Sequence, residues 1–326
     1  MLNNQNYKRL KEIQIIRRLF VDTRIPAHLS KNFGTVSDFE TRFKERRIEE
    51  GVGVESVDKK FFDSLDERLL GHRMQIIPWL DSVKSLKGLR ILEIGCGNGS
   101  STVAFAEQGA IVTAVDVDNS LLSDAKIRAE LHGLDVDFHL MNATEIKKVL
   151  GNKVFDIIIF MASLEHMTLE ERLQSMKITY ELLPKGGLWC IAGTPNRLHF
   201  LDSHTSHLPF FHWLPDELAI QYSRFSSRAD YREQIAAIND ENERQLQFYR
   251  WGRGVSLHEI EIAIMPLEQL KIVSNKAEFL RNKNWLYKIG TRFSANYKYE
   301  LFLKKLYPSI HRGFFQAYLD LVFEKE

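Results

Sequence analysis

The chain has 326 residues with 44 basic against 43 acidic side chains, which argues against binding nucleic acid or membrane through bulk charge alone. Its two cysteines, Cys96 and Cys190, sit in a glycine loop and an apolar run, a pattern that excludes a disulfide framework and fits a reducing compartment. No apolar run approaches the roughly 18 residues of a membrane span, and Met1 to Gln5 lead into a charged segment without the apolar stretch of a signal peptide, so a cytoplasmic location is expected.

In chain order, residues 1–60 read as a polar helical addition with an apolar stripe at Ile13, Ile16, Leu19 and Phe20. From Gly88 to Ala192, short apolar runs alternate with segments of helical period, the pattern of a parallel sheet covered by helices. The predicted strands are Arg90 to Ile94, Ile111 to Val115, Val136 to Leu140, Phe155 to Phe160 and Leu188 to Ala192. Between the last two, Thr168 and Glu171 have capping-box spacing ahead of Leu169, Leu173, Met176, Tyr180 and Leu183, and Pro184 to Gly187 stop that helix. Beyond Asn196 come an aromatic, histidine-containing loop, a charged helix around Asp240 to Arg250, and a second capping box at Ser256 and Glu259. Leu270 to Ser274 and Tyr318 to Phe323 read as two further strands. The expected fold is α/β: a seven-stranded, mostly parallel doubly wound sheet with an N-terminal helical addition and helical inserts after strand 5 and before the last strand. Expected divisions are 1–60, a core at 61–195, an acceptor-side lid at 196–265, and closing strands at 266–326.

Leu92-Glu93-Ile94-Gly95-Cys96-Gly97-Asn98-Gly99 joins the first strand to a helix, and Gly95, Gly97 and Gly99 let backbone amides approach a ligand closely. Asp116, at the end of the second strand, is placed to accept hydrogen bonds from both hydroxyls of a ribose; the competing duty, helix capping, can fall to Asp118 or Asn119. Ser100 follows Gly99 where a dinucleotide fingerprint needs different glycine spacing, so a nicotinamide oxidoreductase fits less well.

With these residues in place, Leu92 to Asn196 resembles the class I, Rossmann-like methyltransferases, in particular the broad group that includes the ubiquinone-biosynthesis O-methyltransferases. The likeness covers about a third of the chain and extends through Phe155-Asp156, Leu164-Glu165-His166 and Leu182 to Gly187. It implies S-adenosyl-L-methionine as cofactor, with Glu93 on its methionine part directly or through water. Asn142-Ala143, where that group usually has Asp-Ala, would read the adenine edge. Cys96, Val117 and Met161 fall in the same implied cofactor site.

For the chemistry, the resemblance puts Glu165-His166 at the acceptor side or, in some relatives, on a divalent metal. Thr194 to Pro215 resembles an acceptor-side loop of bacterial methyltransferases and carries His199, Asp202, His204, His207 and His212. His166, His204 and His207 are the candidate bases. A metal is not expected, because Ala162 stands where metal-dependent RNA 2′-O-methyltransferases have a second glutamate. The leading expectation is methyl transfer to a hydroxyl of a small-molecule or glycan-like acceptor; N- or C-methylation and a non-catalytic S-adenosylmethionine-binding protein are the alternatives. The insert 276–312 mixes lysines and arginines with aromatics such as Trp285, Tyr287, Tyr297 and Phe302, and reads as an amphipathic cap more readily than as a binding surface.

Overall fold

The computed structural model describes residues 36–55, 57–283, 289 and 291–326. Ile13, Ile16, Leu19, Phe20, Trp285, Tyr287 and Lys288 lie outside them. Seven strands form one sheet: β1 (Arg90–Ile94), β2 (Ile111–Asp116), β3 (Asp137–Leu140), β4 (Ile157–Met161), β5 (Leu188–Pro195), β6 (Lys271–Asn275) and β7 (Tyr318–Glu324). Their order is β3-β2-β1-β4-β5-β7-β6, parallel except for β7, which runs antiparallel to both its neighbours. The α/β, mostly parallel architecture expected from the sequence is therefore the observed one.

The central strands are apolar on both faces because helices cover both. Leu92, Ile94, Ile158, Phe160, Trp189, Ile191, Leu321 and Phe323 pack into one layer, while Ile91, Val112, Ile157, Ile159, Cys190 and Val322 alternate into the other. β4 starts at Ile157, later than expected: Phe155 is buried beneath the sheet, and Asp156 instead turns to hold Arg90 in a two-pronged ion pair.

Helices α1 (Val36–Glu49) and α2 (Lys59–Gly71) precede the sheet, and α2 continues through a π-helical turn, His72–Ile76, into α3 (Ile77–Val83). The boundary expected at residue 60 thus falls in the first turn of a helix. Then follow α4 (Ser100–Ala106), α5 (Asn119–Leu131), α6 (Ile146–Leu150) and α7 (Leu169–Leu182). Both capping-box bonds of Thr168 and Glu171 are present at the start of α7. Leu169 does not join the apolar stripe; it occupies the first, exposed turn.

After β5 the chain leaves the sheet and returns through α8 (Asp216–Tyr222), α9 (Ala229–Ala237), α10 (Glu241–Trp251) and α11 (Leu257–Ala263). This insertion has its own small core of Leu208, Phe211, Ala219, Tyr231, Ile235 and Phe248. It is tied down by two buried arginines. Arg253 donates to the carbonyls of Phe211 and Leu214 and to the Asp216 carboxylate, with its guanidinium over the Phe211 and Phe248 rings. Arg172 of α7 donates to the carbonyls of Glu165, Met167, Arg253 and Gly254 and to the Glu259 carboxylate. The remaining helices, α12 (Lys276–Lys283) and α13 (Ala295–Leu306), lie between β6 and β7. No helix among the described residues is long and apolar enough to cross a membrane.

Replacing one side of a buried, hydrogen-bonded ion pair leaves the other side desolvated and alone, at a cost of about 3–5 kcal/mol. Arg172→Met is expected to lose stability of that size in urea unfolding and to speed amide hydrogen exchange at Arg253 and Gly254. Unchanged exchange there would show that the insertion is anchored elsewhere.

Candidate functional site

Ligands of open α/β sheets collect at the carboxyl ends of the strands, where neighbouring connections diverge to opposite faces. Here that point lies between β1 and β4, and a cavity of about 780 Å³ opens there. Its floor is the loop after β1. Gly97 has φ +52°, and a side chain at that position would point into open space on the cavity side, so the glycine leaves the backbone bare towards any occupant. Gly95, Cys96, Asn98, Ser100 and Ser101 line the same floor. Gly99 instead abuts Ala125 of α5 and is not part of the lining.

Asp116 is at the rim, as its position at the end of β2 requires, with Val117 exposed beside it. One carboxylate oxygen accepts from the Gly97 amide at 2.7 Å and the other from the Asp118 amide at 2.9 Å. Capping of α5 falls to Asp118, which accepts from Ser120 and Leu121, leaving Asp116 free of that duty. Asn142, Ala143 and Met161 complete the part of the wall expected from the sequence. Asn142 also accepts from the Thr144 amide and donates to Glu171.

Glu93 departs from its expected place. It alternates onto the β1 face that packs on α4, where it is fully buried and bonded by the hydroxyls of Ser101 and Thr102, and it does not reach the cavity. Burial pushes its carboxyl up to about 7, against those two hydroxyl bonds, which favour the charged form.

The opposite wall comes from the turn after β4 and from the insertion. Ala162 sits at φ +49°, a left-handed conformation rare for alanine, and turns the chain into the short helix Leu164–His166. His166 Nδ1 lies 2.8 Å from the Arg250 carbonyl, to which it donates. His204 Nδ1 lies 3.0 Å from Thr205 Oγ1. Gly252, at φ +120°, makes room for this ring: a Cβ there would meet His204 Nδ1 at 2.9 Å. Both histidines line the cavity, with ring centroids 5.3 Å apart. Burial, with a contribution from His166, pushes His204 down to about 4, so its ring is neutral at physiological pH.

Glu165 is completely buried beside them, with the Thr194 hydroxyl and its own backbone amide as the nearby donors. His204 Nε2 is 3.7 Å and His166 Nε2 4.0 Å from its Oε1. Burial raises its carboxyl above the usual range, while His166 works the other way. These three side chains are the group among the described residues whose donor atoms converge closely enough to hold a metal ion.

The loop's other histidines do different work. Asp202 accepts from the backbone of His204, Thr205 and Ser206 and lies 3.3 Å from His212, so Asp202 and His212 are the scaffold that presents His204. His199 bonds the Leu201 carbonyl. His207, expected as a base, sits exposed in a left-handed turn at φ +59° and does not line the cavity.

Several lining residues had no sequence signal. His72 and Gln75 come from the π-helical turn, Lys276 opens α12, and Arg250 ends α10. Arg250 grips both oxygens of Glu171 at 2.7 and 2.8 Å, holding that carboxyl down at about 2. The glutamate of the capping box, visible in the sequence, thus also latches the insertion over the cavity.

Residues 91–187 match the family model described as a methyltransferase domain. A ubiquinone biosynthesis O-methyltransferase of Ruegeria pomeroyi is 34% identical over 118 residues, 36% of this chain and 46% of the relative. One of Coxiella burnetii is 34% identical over 111 residues, 34% of this chain and 46% of the relative. The matched part of the chain spans less than half the length of these relatives. Among solved structures, the magnesium protoporphyrin IX methyltransferase of Synechocystis with bound SAH is 20% identical, at a TM-score of 0.36 over 57% of this chain and 74% of that one. Residues 91–187 are thus similar to a methyltransferase domain.

The Glu93 carboxyl yields a pH prediction. Its folded value of about 7 lies above the ordinary 4.5, so the stability it contributes is fully present below pH 4.5 and is lost as the pH rises through 7. Glu93→Gln keeps a hydrogen-bonding group but cannot ionise. Between pH 5 and 8 the native chain is expected to lose on the order of 3 kcal/mol more unfolding free energy than this variant. Parallel pH profiles in urea melts would show Glu93 to be charged throughout.

Proposed function

We propose that the chain is an S-adenosylmethionine-dependent methyltransferase acting on a hydroxyl of a small-molecule or glycan-like acceptor. The observation that carries the reading is one cavity with two different ends. At one end, the Gly95 to Ser101 floor, Asp116 and Asn142 offer bare backbone and polar side chains suited to the donor's amino acid, ribose and adenine. At the other, two imidazoles stand beside a buried carboxylate.

Methyl transfer from a sulfonium is an in-line displacement. The acceptor oxygen bonds to the methyl carbon as the carbon–sulfur bond breaks and its electron pair returns to sulfur. Holding the reactants in line can supply about 7–11 kcal/mol of barrier lowering. An alcohol must also lose its proton, and His166, His204 and Glu165 are the groups beside the cavity able to keep the oxygen nucleophilic. An amine would need only desolvation and loss of its extra proton, without a strong base, so the cluster favours the hydroxyl acceptor.

The test is calorimetry with S-adenosylmethionine and its demethylated product, followed by labelled-donor assays across an acceptor panel. Methylation confined to amines would overturn the hydroxyl reading, and failure to bind either donor or product would overturn the whole. Asp116→Ala is expected to weaken donor binding by roughly 1.5–3 kcal/mol through loss of charge-assisted hydrogen bonds; an unchanged dissociation constant would move the ribose elsewhere.

His204→Ala is expected to lower kcat by about a hundredfold to ten-thousandfold while leaving product affinity nearly unchanged. His207→Ala should behave as the native chain. Equal effects of the two substitutions would reject His204 as an acceptor-side group.

A further inference from the structure

We propose that the insertion carries a second binding site, a cavity between α8, α9 and α10 that takes a sugar bearing one anionic group, phosphate or carboxylate. The proposal goes beyond methyl transfer, and binding here does not depend on it.

This cavity has a volume of about 490 Å³, inside the roughly 300–1,000 Å³ of small-molecule sites, and none of its lining residues lines the cavity between β1 and β4. Three helices each turn one face to it. Glu217 and Gln221 of α8, Arg232 and Ala236 of α9, and Glu241 and Gln245 of α10 are pairs four residues apart, the spacing that stacks side chains on one side of a helix. Helix faces directed at one another ordinarily carry apolar residues. Here only Ile220 and Ile235, which pack in the insertion's own core, keep that rule, together with the small Ala236.

The argument rests on three guanidiniums, those of Arg224, Arg232 and Arg244, around this one cavity. Like charges gathered in this way repel one another, and neutral groups hold them there. Arg232 donates to the Ser226 carbonyl at 2.8 Å, Arg244 to the Ile238 carbonyl at 3.4 Å, and Arg224 lies 4.7 Å from the centre of the Phe225 ring. Among the described residues, the ion pair these arginines form is that of Arg232 with Glu233, exposed and 3.5 Å long, a kind that neutralises little. The Nε of Arg244 is buried without a hydrogen-bond partner. Phosphate and carboxylate oxygens match the planar fork of a guanidinium and answer its charge.

The rest of the wall selects what carries the anion. Glu217 and Glu241 line the cavity without pairing with its arginines, so a polyanion meets repulsion whereas a hydroxyl finds an acceptor. Gln221, Asn242 and Gln245 add amides that donate as well as accept. One anionic group on a hydroxyl-rich body satisfies both sets, and a sugar phosphate or sugar acid is such a molecule.

The experiment is titration calorimetry of the full chain with glucose 6-phosphate and with glucuronate, alongside glucose, inorganic phosphate and pyrophosphate. One site per chain is expected for at least one of the two anionic sugars, tighter than for any of the other three ligands. Arg224→Gln and Arg244→Gln are each expected to weaken that binding about tenfold or more, the effect of losing one charge-assisted hydrogen bond. Lys305→Gln, on the surface of α13, should bind as the native chain does. Thermal melts on the same samples check folding, and Arg224→Gln, at an exposed position, carries the test if Arg244→Gln does not fold. The demethylated donor should leave the sugar in place, because the two cavities share no lining residue. No binding of either anionic sugar at millimolar concentration, or binding indifferent to both substitutions, overturns the site. Phosphate or pyrophosphate binding as tightly as the sugars would reject the sugar, and displacement by the demethylated donor would reject the location.

Discussion

A guanidinium with no access to water must find an acceptor for its N–H groups, and Arg172 does so by spanning three parts of the chain. It reaches the turn after β4, the return segment of the insertion at Arg253 and Gly254, and Glu259 in the capping box of α11. The Glu165 carbonyl accepts both from Arg172 and from the Arg253 amide at 2.8 Å. The backbone that carries Glu165 and His166 is therefore bolted to the segment that carries the insertion. Arg253 passes the constraint outward, ordering the Phe211, Leu214 and Asp216 stretch around itself. The geometry of the histidine pair follows from this chain of charge-assisted bonds.

The two ends of the cavity differ in how completely their charges are answered. Asp116 is held by two backbone amides and Glu171 by Arg250, Asn142 and the Thr168 amide, so both are fixed in position. Glu165 has no cation in close contact; both imidazoles stand 3.7 Å or more from it. One end is thus a carboxyl buried beside two imidazoles, the other a set of carboxylates each fixed by hydrogen bonds.

Much of the fold was legible because burial on both faces writes itself as apolar runs. Ile157 to Met161 and Leu188 to Ala192 can hardly be anything but central strands, and the two capping boxes mark helix starts through local chemistry. The glycine-loop end of the cavity was legible for the same reason: Gly95, Gly97 and Asp116 sit at fixed distances from strand ends. Glu93 misled because strand alternation, not proximity in sequence, decides which face a side chain takes. The histidine-lined end was legible only in part. His204 and His207 are three residues apart in a polar, irregular loop, and it is the Asp202 hydrogen bonds and the bare backbone of Gly252 that turn one inward and the other out. Arg250 and His72 arrive from distant elements, one of them a π-helical turn with no periodic signature.

The antiparallel strand has a consequence for assembly. β7 lies between β5 and β6, with Ile191 opposite Leu321 and Asn275 opposite Leu321 from the other side. The strand latest in the chain is thus the middle of its trio, so β6 has no partner and β5 keeps a bare hydrogen-bonding edge until Tyr318–Glu324 is threaded between them. A chain emerging in sequence order can settle β1 to β5 by neighbouring crossovers, but the last third must wait for one long-range zippering event. During synthesis, the apolar edge of β5 is the surface most in need of shielding.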